Sequence, residues 1–178
     1  MKVLTEAAGS PVWPALFRYL RDAQMEVVAT DIDPLSIGLY LADKAYLVPK
    51  GFGGDFFRKA EWIISKENIR LVIPSLTEGL LAWSQRKAFF QELGVIVVIS
   101  EPEVISIFVD KWKTYQFFQK HGIPTPETSL EPRFDLIKPR TGRGGSGIQK
   151  RLSSDIDMTG NISQRYIEGK EYSIDVLC

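Results

Sequence analysis

The sequence predicts an α/β protein in two parts: a layered, mostly parallel sheet over residues 1–108, then a partial α+β unit with an antiparallel sheet over residues 109–178. Three observations carry this prediction. Apolar runs alternate with helical apolar stripes through the first hundred residues, the pattern of strand–helix–strand units with right-handed crossovers. Near residue 100 the alternation stops, and Pro124, Pro126 and Pro132 punctuate the chain. Beyond them lie short segments of alternating polarity joined by glycine- and serine-rich turns, the pattern of half-buried antiparallel strands.

Taken in order, Val3-Leu4 and Val27-Val28-Ala29 predict two strands, and Val12, Leu16, Tyr19 and Leu20 predict a helix between them. Ala45 to Val48 predicts a third strand, Phe56, Ala60, Ile63 and Ile64 a second helix, and Leu71-Val72-Ile73-Pro74 a buried strand. Leu80, Leu81, Ser84 and Ala88 mark one continuous helix, and Val95 to Ile99 a fifth strand. The sum is a small Rossmann-like layer structure. Ser75-Leu76-Thr77-Glu78 and Ser100-Glu101-Pro102-Glu103 both spell the S-x-x-E capping box. The first also falls at the carboxyl end of the sheet, where open α/β sheets bind ligands. Asp110 is placed to cap a helix ending at His121-Gly122. The later strands are expected over 134–138, 148–150, 162–166 and 172–177, with a turn at Ser153-Ser154-Asp155.

Composition narrows the function. At 178 residues and 44% hydrophobic, the chain buries a core. Lys and Arg number 22 against 22 Asp and Glu, so no overall field draws nucleic acid or an anionic membrane, and any anion site is local. The single cysteine, Cys178, excludes an internal disulfide and a cysteine-based zinc cluster and fits a reducing cytoplasm. The sole histidine, His121, is assigned no chemistry, and the N-terminus lacks the apolar core of a signal peptide. The expectation is a soluble cytoplasmic protein without metal ligands of its own.

Most of the chemical information lies in Lys138-Pro139-Arg140-Thr141-Gly142-Arg143-Gly144-Gly145-Ser146-Gly147. Glycines let backbone N–H groups turn toward a bound anion, while Lys138, Arg140 and Arg143 supply charge, so phosphate is the natural guest. Gly142, Gly144 and Gly147 also satisfy G-x-G-x-x-G, but the dinucleotide fingerprint needs a helix immediately afterwards, and Ile148 to Arg151 runs into a turn. Asp31 and Asp33 stand roughly where a dinucleotide enzyme holds ribose, yet Thr5 to Pro11 has one glycine, Gly9, where that enzyme class needs three. No Walker loop occurs. The bland alternatives are a solvated surface turn for the loop, an exposed helical lysine at Lys111 and a solvent-facing Glu171.

The loop has company in a fixed order: Asp110-Lys111 at a helix start, Gly122-Ile123-Pro124-Thr125-Pro126, Ile137-Lys138-Pro139, the glycine loop, and Gln164 to Ser173. Together these resemble the ATP-grasp signature, and the first hundred residues are similar to the pre-ATP-grasp domain of carbamoyl-phosphate synthase-like carboxylate ligases. The resemblance implies that Lys111 and Lys138 contact ATP phosphates under a lid formed by Thr141, Gly142, Arg143, Gly144, Gly145, Ser146 and Gly147. It also implies that Gln164, Arg165, Tyr166 and Ile167 form the adenine hinge, with Gln164 near the amino group, and that Glu171 binds the ribose hydroxyls. Carbamoyl-phosphate synthase-like members often carry Glu where this chain has Arg165.

The family phosphorylates a carboxylate or bicarbonate with ATP, and a nucleophile then attacks the acyl phosphate. Its acidic magnesium ligands and an Arg lie downstream of the hinge, so the resemblance implies a nucleotide-site portion, with Mg²⁺ expected only in the complete enzyme and no catalytic residue assigned here. The implied partners are a small carboxylate or bicarbonate substrate and a further copy or a complementary C-terminal subunit. A non-catalytic ATP-binding module and, less favoured, an NAD-dependent oxidoreductase remain as alternative readings.

Overall fold

A computed structural model describes residues 1–150 and 156–174. The chain divides into two compact units, Met1–Val109 and Asp110–Cys178.

The first unit is an α/β layer. Its sheet takes β1 (Lys2–Thr5), β2 (Glu26–Asp31), β3 (Lys44–Leu47), β4 (Leu71–Ile73) and β5 (Ile96–Val97) in the order β3-β2-β1-β4-β5, every pair parallel. Successive strand residues point to opposite faces, and the two cores divide accordingly. Val3, Val27 and Ala29 join Trp13 and Leu20 on one side, while Leu4, Val28 and Val72 join Phe56, Ala60, Ile63, Trp83 and Phe90 on the other. Both faces are therefore apolar, which is why these strands appear in the sequence as unbroken hydrophobic runs.

Helix α1 (Trp13–Asp22) forms between the expected strands, but with another face inward. Val12 is 71% exposed and Tyr19 63%, whereas Trp13 and Leu20 are buried and Leu16 and Phe17 pack against the same core. Trp13 decides the rotation: its ring stacks on Phe17 at 5.2 Å, and its indole N–H donates to Thr5 Oγ1 at 3.1 Å. A short α2 (Ile37–Leu41), not foreseen, precedes β3. Helix α3 (Gly54–Glu67) buries the expected Phe56, Ala60, Ile63 and Ile64.

The single helix expected over residues 80–88 is two, α4 (Thr77–Gln85) and α5 (Lys87–Glu92), parted at Arg86. Helix α6 (Pro102–Phe108) follows β5. Neither capping box forms. Helix α4 starts after Leu76 and α6 after Glu101, and neither cap residue makes a side-chain hydrogen bond to its helix. At α4 a tertiary partner has replaced the local one. The Glu6 carboxylate, at the end of β1, accepts the Ser75 amide at 3.1 Å and the Trp83 indole N–H at 2.6 Å, while Ser75 Oγ donates to the Glu6 carbonyl at 3.2 Å.

In the second unit, Asp110 caps α7 (Lys111–Lys120) as expected: its Oδ1 accepts the amides of Trp112 at 2.9 Å and Lys113 at 3.4 Å. Gly122, at φ +65°, turns the chain out of the helix. The sheet comprises β6 (Thr128–Ser129), β7 (Leu136–Pro139), β8 (Gln149–Lys150) and β9 (Asn161–Gln164) in the order β6-β9-β7-β8, all antiparallel. Lys138 faces Ile162 and Leu136 faces Gln164 across the β7–β9 ladder. The strand expected over 172–177 does not begin: residues 172–174 pair with none of the four strands and have no regular structure, and residues 175–178 lie outside the described residues. The turn expected at 153–155 also lies outside them. Among the described residues, no helix is long and apolar enough to cross a membrane.

Candidate functional site

The cationic centre of the second unit is assembled by α7, β7 and β9. Lys111 opens α7, and its main-chain N–H donates to the Arg140 carbonyl at 2.9 Å, fixing the helix start against the end of β7. Its ammonium reaches the carbonyls of Gly142 at 3.2 Å and Arg140 at 3.4 Å. Lys138, on β7, donates to Gln164 Oε1 at 2.6 Å. Gln164 in turn donates through Nε2 to Thr128 Oγ1 at 2.9 Å. A polar row thus crosses β7, β9 and β6.

Electrostatically this centre is unbalanced. Burial pushes the Lys138 ammonium below the usual lysine range, and the nearby Lys111 charge pushes it the same way. Burial also lowers Lys111, against a smaller opposing pull from Asp110. Among the described residues, neither lysine forms an ion pair with a carboxylate. Two half-buried ammonium groups, neither directly ion-paired among the described residues and only Lys111 drawn on by the Asp110 charge, favour an anion that brings further negative charge.

The glycine loop follows directly. Gly142, Gly144, Gly145 and Gly147 all have positive φ, from +63° to +98°. Around Gly142 and Gly144 a side chain would meet open space, so conformation alone demands glycine there. Gly147 is constrained twice, because an added Cβ would also stand 2.8 Å from Pro139 Cγ. Gly147→Ala is therefore expected to destabilise the second unit by about 1–3 kcal/mol and to splay the loop from β7. Urea denaturation checks this, and an unchanged midpoint would contradict it. Thr141 to Gly147 are all exposed.

The remaining expected residues are less gathered. Arg165, just after β9, pairs with Glu127, and its guanidinium lies over the Phe134 ring at 5.6 Å. Tyr166 and Ile167 are exposed, and Glu171 is exposed in a segment without regular structure. Gln164 is engaged on both ends of its amide by Lys138 and Thr128. No group of three or more His, Cys, Asp or Glu side chains converges among the described residues.

Asp110 is the charged residue whose role exceeded the sequence reading, since it also receives the Arg140 guanidinium: Nε to Oδ1 at 3.2 Å and a terminal nitrogen to Oδ2 at 2.5 Å. Burial by itself would raise the Asp110 carboxyl, but the Arg140 hydrogen bonds and the Trp112 and Lys113 amides outweigh it and hold the group below its usual value. A carboxylate depressed in the folded state stabilises above its unfolded pKa, about 3.9, and that contribution is lost as pH falls through the folded value. Asp110→Asn should cost about 1–2 kcal/mol near pH 6, and the deficit should shrink below about pH 4. Chemical denaturation across pH measures it; a deficit constant down to pH 3 would contradict the assignment.

In the first unit, the residues that resembled a ribose site are structural. Asp31 Oδ2 accepts the Gly9 amide at 2.8 Å and Oδ1 accepts the Asp33 amide at 3.0 Å. A Cβ at Gly9 would lie 2.6 Å from Ser36 Oγ, so this glycine serves close packing. Ser75 serves Glu6.

Comparison with known proteins agrees with both units. Residues 108–178 match the family model of the ATP-grasp domain, and residues 11–98 match that of the PylC-like N-terminal domain. A carbamoyl-phosphate synthase of Methanobrevibacter smithii is 26% identical over 197 residues, covering 99% of this chain and 52% of the relative. Among solved structures, N5-carboxyaminoimidazole ribonucleotide synthetase from Thermotoga maritima superposes with a TM-score of 0.65 at 18% identity, over 94% of this chain and 46% of that one. The biotin carboxylase domain of Hydrogenobacter thermophilus 2-oxoglutarate carboxylase, solved with magnesium ADP, ADP and bicarbonate, superposes with a TM-score of 0.59 at 20% identity, over 84% of this chain and 37% of that one. At these identities the structural likeness establishes the fold. The chain spans about half the length of the curated relative it matches.

Proposed function

We propose, from the premise that this chain belongs to the ATP-grasp superfamily, that its second unit is the phosphate-holding part of an ATP site in a carboxylate ligase of carbamoyl-phosphate synthase-like type. The observation that carries the proposal is the Lys111–Lys138 pair, two part-buried ammonium groups that make no direct ion pair among the described residues, set beside a loop of four positive-φ glycines. A polyphosphate fits this donor set: it brings negative charge, and point-charge lysines beside a glycine-rich turn are what binds phosphate oxygens.

In this reading Lys111 and Lys138 hold the phosphates and draw charge from the phosphoryl oxygens, and residues 141–147 close over them and exclude water. When bound, ATP supplies a phosphoryl group that can activate a carboxylate or bicarbonate. Residues 164–167 offer main-chain groups to the adenine; the Gln164 side chain is already committed to Lys138 and Thr128, so its proposed part is to orient Lys138. Arg165 contributes its main-chain carbonyl, since its N–H donates to the Glu127 carbonyl at 2.8 Å and its guanidinium pairs with the Glu127 carboxylate. Glu171 is proposed for the ribose hydroxyls. No step is routed through a metal, and no residue of this chain is assigned the nucleophile.

Hydrogen exchange tests the proposal directly. ATP should slow exchange at the amides of residues 141–147, and near Lys111, while leaving β1 to β5 unchanged. Binding of ATP with loop exchange unaltered would place the nucleotide elsewhere and overturn the assignment.

A further inference from the structure

We infer that Arg140 is a positioning residue for the nucleotide site proposed above, acting through Asp110, and that it is not itself a phosphate ligand; the inference rests on that reading of the site. In the sequence Arg140 stands with Lys138 and Arg143 as one of three cations around the glycine loop. Its side chain is turned the other way. The guanidinium forks onto both oxygens of Asp110, at 3.2 and 2.5 Å, a bidentate geometry that fixes orientation as well as charge. The same carboxylate accepts the Trp112 and Lys113 amides, so four donors occupy it, and its side chain is only 13% exposed. Swinging the guanidinium to a phosphate would strip a part-buried carboxylate of its bidentate ion-pair partner, which is unfavourable.

The main chain at Arg140 explains what the fork accomplishes. Its carbonyl accepts both the Lys111 amide at 2.9 Å and the Lys111 ammonium at 3.4 Å, and its N–H donates to the Gly160 carbonyl at 2.9 Å, in the turn before β9. Arg140 therefore joins the start of α7, the end of β7 and the approach to β9. Lys138 lies two residues before it, so the fork sets where Lys111 sits relative to Lys138. The loop is anchored at the same place: its first foot follows Arg140, and its second, Gly147, rests against the Pro139 ring. Affinity for a polyphosphate then depends on Arg140 by preorganisation and not by contact.

The test is a double-mutant cycle on the full chain, reading ATP affinity by calorimetry and stability by thermal melting. Asp110→Asn and Arg140→Met should each weaken ATP binding by about tenfold, and the double variant should lose no more than either alone. Were Arg140 a direct ligand, Asp110→Asn would release it and bind as tightly as the parent or more so; that result, or additive losses, overturns the inference. Arg140→Lys keeps the charge but not the fork, and it should melt close to the parent while still binding about tenfold more weakly. Parent-like affinity in Arg140→Lys would overturn the positioning role. Failure of the folded parent to bind ATP would instead overturn the nucleotide reading, and the role with it.

Discussion

Lys138→Met is expected to lower ATP affinity by roughly ten- to a hundredfold, the largest effect expected from any single substitution outside the core. A hydrogen bond to a charged group contributes about 1.5–3 kcal/mol when its partner is left without it, and each 1.4 kcal/mol is a tenfold change. Two features put Lys138 toward the upper end. It is half-buried, so its charge is weakly screened, and its ammonium is aimed by Gln164 at 2.6 Å, so little ordering is needed on binding. Folding should survive the substitution, because an ammonium depressed by burial and by Lys111 is unfavourable in the free protein. Lys138→Met is expected to melt at or above the parent temperature while losing ATP binding. A protein that binds as before would remove Lys138 from the site. The same logic gives a pH dependence: both lysines titrate below the ordinary lysine value, so affinity should begin to fall at a lower pH than an exposed lysine would produce.

Glu6→Ala destabilises the first unit by about 3–5 kcal/mol, because it leaves the Trp83 indole N–H and the Ser75 amide without their acceptor at a buried position. Trp83 is fully buried and in contact with Phe56, Phe57 and Phe90, so a shift of its ring spreads through that core. The pH dependence has the opposite sign to that of Asp110. Burial raises the Glu6 carboxyl above its usual value, opposed by the Trp83, Ser75 and Leu76 hydrogen bonds. A carboxyl raised in the folded state contributes stability that is present below the unfolded pKa, about 4.3, and is lost as pH rises through the folded value. Glu6→Gln should abolish that decline while costing less than Glu6→Ala. Equal stability of Glu6→Ala and the parent in urea would show that the donors find other partners.

The two carboxylates also mark where sequence reasoning reaches its range. The parallel sheet was legible because both its faces are buried, which leaves unbroken apolar runs at β1, β2 and β4. Helix α3 was legible because Phe56, Ala60, Ile63 and Ile64 keep one period. Helix α1 was rotated from expectation because Trp13, at the helix start, outweighs Val12 and Tyr19 through its ring area and its bond to Thr5. The box at Ser75 failed because a capping motif is local, and Glu6, 69 residues away, competes for the same amide. An acidic residue directly after a buried strand was the available signal for Glu6. The ordered motifs placed Lys111 and Lys138 in one neighbourhood, but the Asp110–Arg140 fork links residues 30 apart in sequence and has no periodic signature. For residues 172–174 the apolar pattern was present, but they pair with no strand among the described residues.

The second unit is proposed to hold ATP through Lys111, Lys138 and the glycine loop. Calorimetric titration of the full chain with ATP, with and without magnesium, and separately with NAD, tests it most directly. One saturable ATP site, weakened by Lys138→Met, with no heat from NAD, is the predicted result; clear NAD binding alongside no ATP binding would contradict it.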